Sequence, residues 1–334
     1  DGGHASRNPA AIVALLADLL PLRQLFAHRN QPVPRALFSA IDRMLPALRF
    51  FRHGDGSLAL FNGAGSADHH LLRALLRYDE TLGDPSQALR QSGYHRMASG
   101  GTVLLADTGV PPAPALSGEA HAGTLAFEFS SGARRMVINC GAPERLEDAG
   151  RRLSRTTAAH STLTLNDHSS SRFSKSAMLD RYLGEPLMPG PTRVPVTREE
   201  TGAGQMLTAA HDGYRQGFGL IHERQVHLSR DGTRIDGLDR LLPAAGRAPR
   251  MASEEPLGML RFHLHPDVVA TETREGIRLE HGGEVWWFTS DVPARLEDSI
   301  VFADRSGARA STQISVVFDC LEREDLGWRF ERHA

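Results

Sequence analysis

Lysine is almost missing from this chain: of 38 basic residues, only Lys175 is not arginine. Planar guanidinium forks suit carboxylates and sulfates, but GC-rich codons produce the same bias, so composition leaves both explanations open. Cysteine is equally scarce. Cys140 and Cys320 lie far apart in apparent strands, which excludes a disulfide scaffold and favours buried free thiols. Aromatic residues reach only 6%, against 32 glycines and 19 prolines, the profile of a turn-rich globular protein. Neither sign of charge dominates, with 38 basic and 40 acidic residues, so no global field recruits nucleic acid or acidic lipid. No uninterrupted apolar run approaches the roughly 20 residues of a membrane span, and no transmembrane segment is expected. Walker loop, dinucleotide fingerprint, Gly-x-Ser-x-Gly elbow and His-Glu-x-x-His are all absent, which removes most phosphate, hydride and acyl chemistries. There is no initial methionine or signal-like stretch, and Asp1-Gly2-Gly3-His4 reads as mid-protein sequence. The expectation is a piece of a longer protein, with any targeting peptide out of view and the oligomeric state open.

The 334 residues exceed one ordinary core, so two domains are expected. Before residue 90 the periodicity is helical. Asn8 caps a helix with Pro9 at its first position, and Ile12, Leu15, Leu16, Leu19, Leu22 and Phe26 follow at helical spacing. Pro21 is expected to kink it. A second helix opens at Pro34, with Leu37, Ile41, Met44, Leu45 and Leu48 on one face, and a third spans Ala67 to Tyr78. From Gly93 onward the pattern is β. Strands are expected at 102–106, 125–129, 136–139, 161–165, 222–228, 233–239, 260–265, 285–289 and 313–318, punctuated by Gly, Pro and Asp as in a large antiparallel sandwich. Pro186 to Pro195, with four prolines, reads as a long loop.

The segment from His121 to His160 concentrates the chemistry. Two histidines flank a strand ending in Asn139-Cys140-Gly141. If the strands are neighbours, His121, Asn139 and His160 converge at three strand ends, as a histidine and oxygen metal site requires. The alternative is that each imidazole simply bonds to backbone.

Several segments carry a family resemblance: Gly118-Glu119-Ala120-His121-Ala122-Gly123, Val137-Ile138-Asn139-Cys140-Gly141, Arg155-Thr156-Thr157-Ala158-Ala159-His160-Ser161-Thr162, His211-Asp212-Gly213-Tyr214 and Arg261-Phe262-His263-Leu264-His265-Pro266. Together they resemble the C-terminal domain of heparinase II/III-like proteins, and Asp1-Gly2-Gly3-His4 resembles a segment late in the family's helical toroid. The resemblance implies an α+β fold, with partial (α/α) toroid helices over residues 1–90 followed by a large antiparallel β-sandwich over 91–334. It implies a polysaccharide lyase acting by β-elimination on uronic-acid chains, an acidic polysaccharide or oligosaccharide as partner, and the cell envelope or periplasm as location.

Elimination must neutralise the C5 carboxylate, remove the C5 proton and protonate the leaving O4. By the resemblance His121 and His160 match zinc ligands, whereas Asn139 stands where an aspartate is expected and weakens the site. Glu119 occupies the catalytic histidine position, and the expected tyrosine falls at or near Ala11. A rebuilt catalytic set therefore draws on His4, Arg7 and Asn8 at the first helix start, on Glu119 as base, and on Arg155 with Arg151 and Arg152 as carboxylate clamp. Tyr94 and Tyr214 are the replacements for the missing phenol. His69-His70 and His263-x-His265 carry less weight. The leading expectation is a lyase with a modified site. One alternative is a non-catalytic glycan-binding or cell-envelope protein on the lyase scaffold, and another is a hydrolase pairing Glu119 with Asp107 or Glu128.

Overall fold

The computed structural model describes residues 1–80, 83–144, 150–188, 190–246, 249, 257–304, 306–320 and 322–333. Pro189 of the proline-rich loop lies outside them. Three helices come first: α1 (Pro9–His28), α2 (Arg35–Phe50) and α3 (His69–Leu76). Asn8 caps α1 by accepting the Ala10 N–H at 2.8 Å, and Asp68 caps α3 through the N–H groups of His70 and Leu71. Pro21 sits inside α1, which continues as one element to His28.

By length and composition helix α1 is long and apolar enough to cross a membrane, although Asp18 and Arg23 interrupt its apolar residues. Its Ile12, Val13, Leu16 and Leu20 are buried in a core shared with α2 and α3, while Leu15, Leu22 and Leu25 are exposed.

The strands follow in chain order. They are β1 (Ala88–Leu89), β2 (Tyr94–Ser99), β3 (Thr102–Asp107), β4 (Phe127–Ser131), β5 (Arg134–Ile138) and β6 (Leu163–Leu165). A small hairpin pairs β7 (Arg172–Phe173) with β8 (Leu187–Met188). Next come β9 (Val196–Thr201), β10 (Gly204–His211), β11 (Leu220–Ser229), β12 (Arg234–Pro243) and β13 (Leu257–Leu264). The last are β14 (Val269–Glu272), β15 (Ile277–His281), β16 (Glu284–Ser290), β17 (Ala294–Val301), β18 (Arg309–Asp319) and β19 (Asp325–His333). One antiparallel sheet runs β1-β2-β3-β4-β5-β13-β18-β17, with β6 added to β13; the other runs β14-β15-β16-β19-β12-β11-β10-β9.

Alternation along the strands assigns each face. In β3 every residue is buried, because Leu104 and Ala106 enter the sandwich core while Val103 and Leu105 pack with the helices on the other face. The sandwich core is aromatic: Phe127 stacks on Trp328 with centroids 5.4 Å apart, and Phe262 meets Phe288, Trp328 and Phe330. Burying each such ring contributes roughly 1.5–3 kcal/mol. At β3 the first sheet is thus covered on both faces, which places the neighbouring loops at the junction between helices and sandwich.

Candidate functional site

His121 lies in the β3–β4 loop and His160 in the β5–β6 loop, each just after a turn of 3-10 helix or a tight turn. The fold brings them together edge to face, with His121 Nδ1 at 3.1 Å from His160 Nε2 and ring planes at 84°. His160 Nδ1 donates to the Thr156 carbonyl at 2.7 Å, so its Nε2 is the acceptor and His121 Nδ1 carries the shared proton. Both rings are almost fully buried. Desolvation pushes the pKa of His121 well below the ordinary value, helped by His160, and pushes His160 down to about 4. Gly123 makes room for the pair, since a Cβ there would stand 2.6 Å from His160 Cδ2.

Asn139 does not join them. Its Nδ2 donates to Glu128 Oε1 at 3.0 Å and its Oδ1 accepts the Ser161 N–H at 3.0 Å. Zinc with Zn–N bonds near 2.0–2.1 Å sets two tetrahedral ligands roughly 3.3 Å apart, so the two imidazoles have suitable spacing. The third donor does not, because both ends of the Asn139 amide are spent, and no His, Cys, Asp or Glu among the described residues completes a group of three with this pair. The donor set does not fit zinc as the resemblance implies it.

The expected catalytic arginines are also engaged. Arg155 donates through Nε to Ala120 O at 3.0 Å and through Nη2 to Ser117 O and Glu185 O. It braces the turn that presents His121, and desolvation, followed by Arg151, lowers its pKa to about 10. Arg151 donates to Gly118 O at 2.7 Å. Arg7, held at φ 62°, donates to Ser92 O, Gly93 O and Gly109 O and forms a buried ion pair with Asp107. Asn62 extends this network: its Nδ2 donates to Tyr94 Oη at 2.7 Å and Asp107 Oδ2 at 2.9 Å, while its Oδ1 accepts the His121 N–H at 3.4 Å. The reasoning from sequence passed over Asn62; its signal was the Asn-Gly dipeptide, which marks a left-handed turn at φ 47°.

Neither candidate phenol is free. Tyr94 Oη donates to Arg7 O and Tyr214 Oη to Leu163 O, each at 2.6 Å, and burial raises both pKa values. Asp107 sits in the Arg7 pair, and buried Glu128 meets His53 Nε2 at 2.9 Å and the Leu60 N–H at 3.0 Å. Neither carboxylate is placed to work with Glu119, which is exposed. Asn8 and the Glu119 carbonyl approach each other across Gly63, where a Cβ would lie 2.7 Å from that carbonyl.

In the second sheet, burial opposes the charge of Asp239, but Arg224 and His222 hold its pKa down to about 2. His222 Nε2 donates to Asp239 at 2.6 Å, and Arg224 Nη1 reaches Leu125 O and Ser161 O, tying that sheet to the His160 loop.

A cleft of about 1750 Å³ opens between the helices and the first sheet. Its charged lining includes His4, His95, Arg43 and Arg90, with Asp1 as the carboxylate, and Asp1 is spent on Gln91 N, Ser92 N and Ser92 Oγ. Arg43 and Arg90 are exposed. His4 Nδ1 is 2.7 Å from Ser6 Oγ. No Phe, Tyr or Trp among the described residues lines this cleft. His69 and His70 are exposed on α3.

Helices laid against a two-sheet antiparallel sandwich form a polysaccharide-lyase-like scaffold. The chain belongs to the heparinase II/III-like family, whose C-terminal model matches residues 81–326. It is 37% identical over 323 residues to the FtsZ-localized protein C of Caulobacter vibrioides, covering 94% of this chain and 55% of that protein. All of it superposes on the heparan sulfate lyase HepC of Pedobacter heparinus, with TM-score 0.72, 16% identity and 53% of that chain covered. A heparinase III gives TM-score 0.72 at 13% identity, with 99% of this chain and 54% of that one covered. At such identities the structures establish fold alone. The chain spans about half the length of these relatives.

Proposed function

We propose that this chain serves as a glycan-binding protein of the cell envelope, which keeps the lyase scaffold without the acid and base of elimination. The observation that carries this is the absence, among the described residues, of a phenol at the cleft. By the resemblance the expected tyrosine falls at or near Ala11 and the catalytic histidine at Glu119, and Tyr94 and Tyr214 donate their hydroxyls to buried carbonyls. The relative in Caulobacter vibrioides carries a name that describes localisation rather than a lyase reaction. The ligand is an acidic polysaccharide or oligosaccharide, held by Arg43 and Arg90 through charge and without aromatic stacking. No step depends on a metal at His121 and His160.

Modified β-elimination is the second proposal. It is favoured by His4, which lines the same cleft as Arg43 and Arg90, so that one cleft holds an imidazole and carboxylate-neutralising charges. The full-length protein incubated with a panel of uronate polysaccharides separates the two. Binding that falls with salt and with Arg43→Ala or Arg90→Ala, without ultraviolet absorbance from unsaturated ends, is the expected result. A rise in that absorbance, abolished by His4→Ala, establishes elimination instead. Failure to bind any acidic glycan overturns both.

A further inference from the structure

A different cluster, unconnected with the cleft, has open ligand positions. The chain crosses from the first sheet to the second between β13 and β14, and His265 and Asp267 lie in that crossing. The pairing of β14 with β15 then brings His281, the last residue of β15, beside them. The two imidazoles stack at 9° with centroids 5.3 Å apart, and one ligand atom from each of the three residues lies within 4.8 Å of the others. They border a cavity of about 470 Å³ between the sandwich and the helical part, which supplies Asp55 and His69 to its wall.

The hydrogen bonds show which atoms are available. His281 Nδ1 donates to Arg135 O at 3.0 Å, leaving its Nε2 lone pair free and fixing the ring as backbone carbonyls do for metal ligands. Asp267 Oδ1 accepts from Arg309 Nη2 at 2.6 Å, while Oδ2 lies 3.7 Å from His265 Nδ1. His265 faces a donor at each ring nitrogen, Arg135 Nη2 at 3.0 Å from Nε2 and the Asp267 N–H at 3.3 Å from Nδ1, and a neutral ring accepts from one of them at a time. Arg135 has a second partner, since its Nε lies 3.3 Å from Asp55 Oδ2.

We propose that His265, Asp267 and His281 bind one divalent transition metal of the zinc or nickel class, with Arg135 as the internal cation that the metal displaces toward Asp55. Two neutral imidazoles and one carboxylate select these metals over magnesium and calcium. The cavity leaves the remaining coordination position to water or an anion. Arg309 stays on the other carboxylate oxygen and orients it.

Calorimetric titration of the full-length protein with zinc tests this directly. One site is expected, weakened about tenfold or more by Asp267→Ala and by His281→Gln. It is unchanged by His121→Ala, and Arg135→Ala tightens it by roughly tenfold, because one competing charge is gone. Asp267 is half exposed, so its replacement leaves the fold intact, and thermal melting of each variant identifies any that does not fold. Zinc binding that survives Asp267→Ala and His281→Gln unchanged overturns the proposal. So does a wild-type chain that takes up no zinc.

Discussion

Two histidine pairs of similar composition behave in opposite ways. His121 and His160 meet edge to face at 3.1 Å, fully enclosed, with one ring spending its second nitrogen on Thr156 O. His265 and His281 stack face to face beside an open cavity, and the Nε2 of His281 is free to take a ligand. Residue type is the same in both places. The difference lies in the neighbours: around the first pair Asn139 bonds Glu128 and the Ser161 N–H, while Arg155 and Arg224 donate to backbone carbonyls of the same loops, so the cluster stabilises the fold.

Four experiments break or sharpen that contrast. The largest effect is expected from Asp107→Ala, which leaves the buried Arg7 guanidinium unpaired and costs about 3–5 kcal/mol in denaturant unfolding; a loss below about 1 kcal/mol would mean that the network does not hold helices to sandwich. Gly123→Ala comes next. Its new methyl must push His160 aside, at about 1–3 kcal/mol, and a thermal melt equal to wild type would show that the enclosed pair has room to shift.

Acid is the third probe. The folded pKa of His160 is depressed from 6.5 to about 4, so the unfolded chain takes up the proton first. Its stabilising contribution is complete above pH 6.5 and is lost as pH falls toward about 4, at about 1.4 kcal/mol per pH unit for one group. His160→Gln should flatten the stability profile across that window, and an unchanged slope would assign the acid sensitivity elsewhere. The smallest effect belongs to the open pair: Asp267→Ala should alter stability by less than about 0.5 kcal/mol. A larger loss would make that corner structural as well.

Much of the fold was legible before any coordinates. The three helices follow the leucine stripes, and every strand range read from the alternation overlaps an observed strand. Strands that escaped notice have other patterns. In β9, Val196-Thr197-Arg198-Glu199-Glu200-Thr201 is an edge strand with mostly exposed residues, so no apolar face marks it. In β19, Leu326, Trp328 and Phe330 alternate with charged residues or glycine, a pattern that is clear once its partners β12 and β16 are known.

The site was half legible. That His121 and His160 meet follows from motifs that the chain shares with its family. That Asn139 turns away follows from Glu128 and the Ser161 N–H, 11 and 22 residues distant in sequence. Nothing local to Asp267 or His281 signals a cluster, because the sheet crossing alone places them together.

The sequence by itself determined the order of helices and strands, the family, and the inventory of imidazoles, guanidinium groups and missing phenols. These depend on local periodicity and on residues in short motifs. Tertiary structure decided which of those groups remain free to act. Arg7 pairs with Asp107 across 100 residues, and His265 meets Arg135 across 130. Hydrogen-bond saturation and burial are set by such distant partners, so the same imidazole is a structural fixture in one loop and an open ligand at the edge of the sandwich.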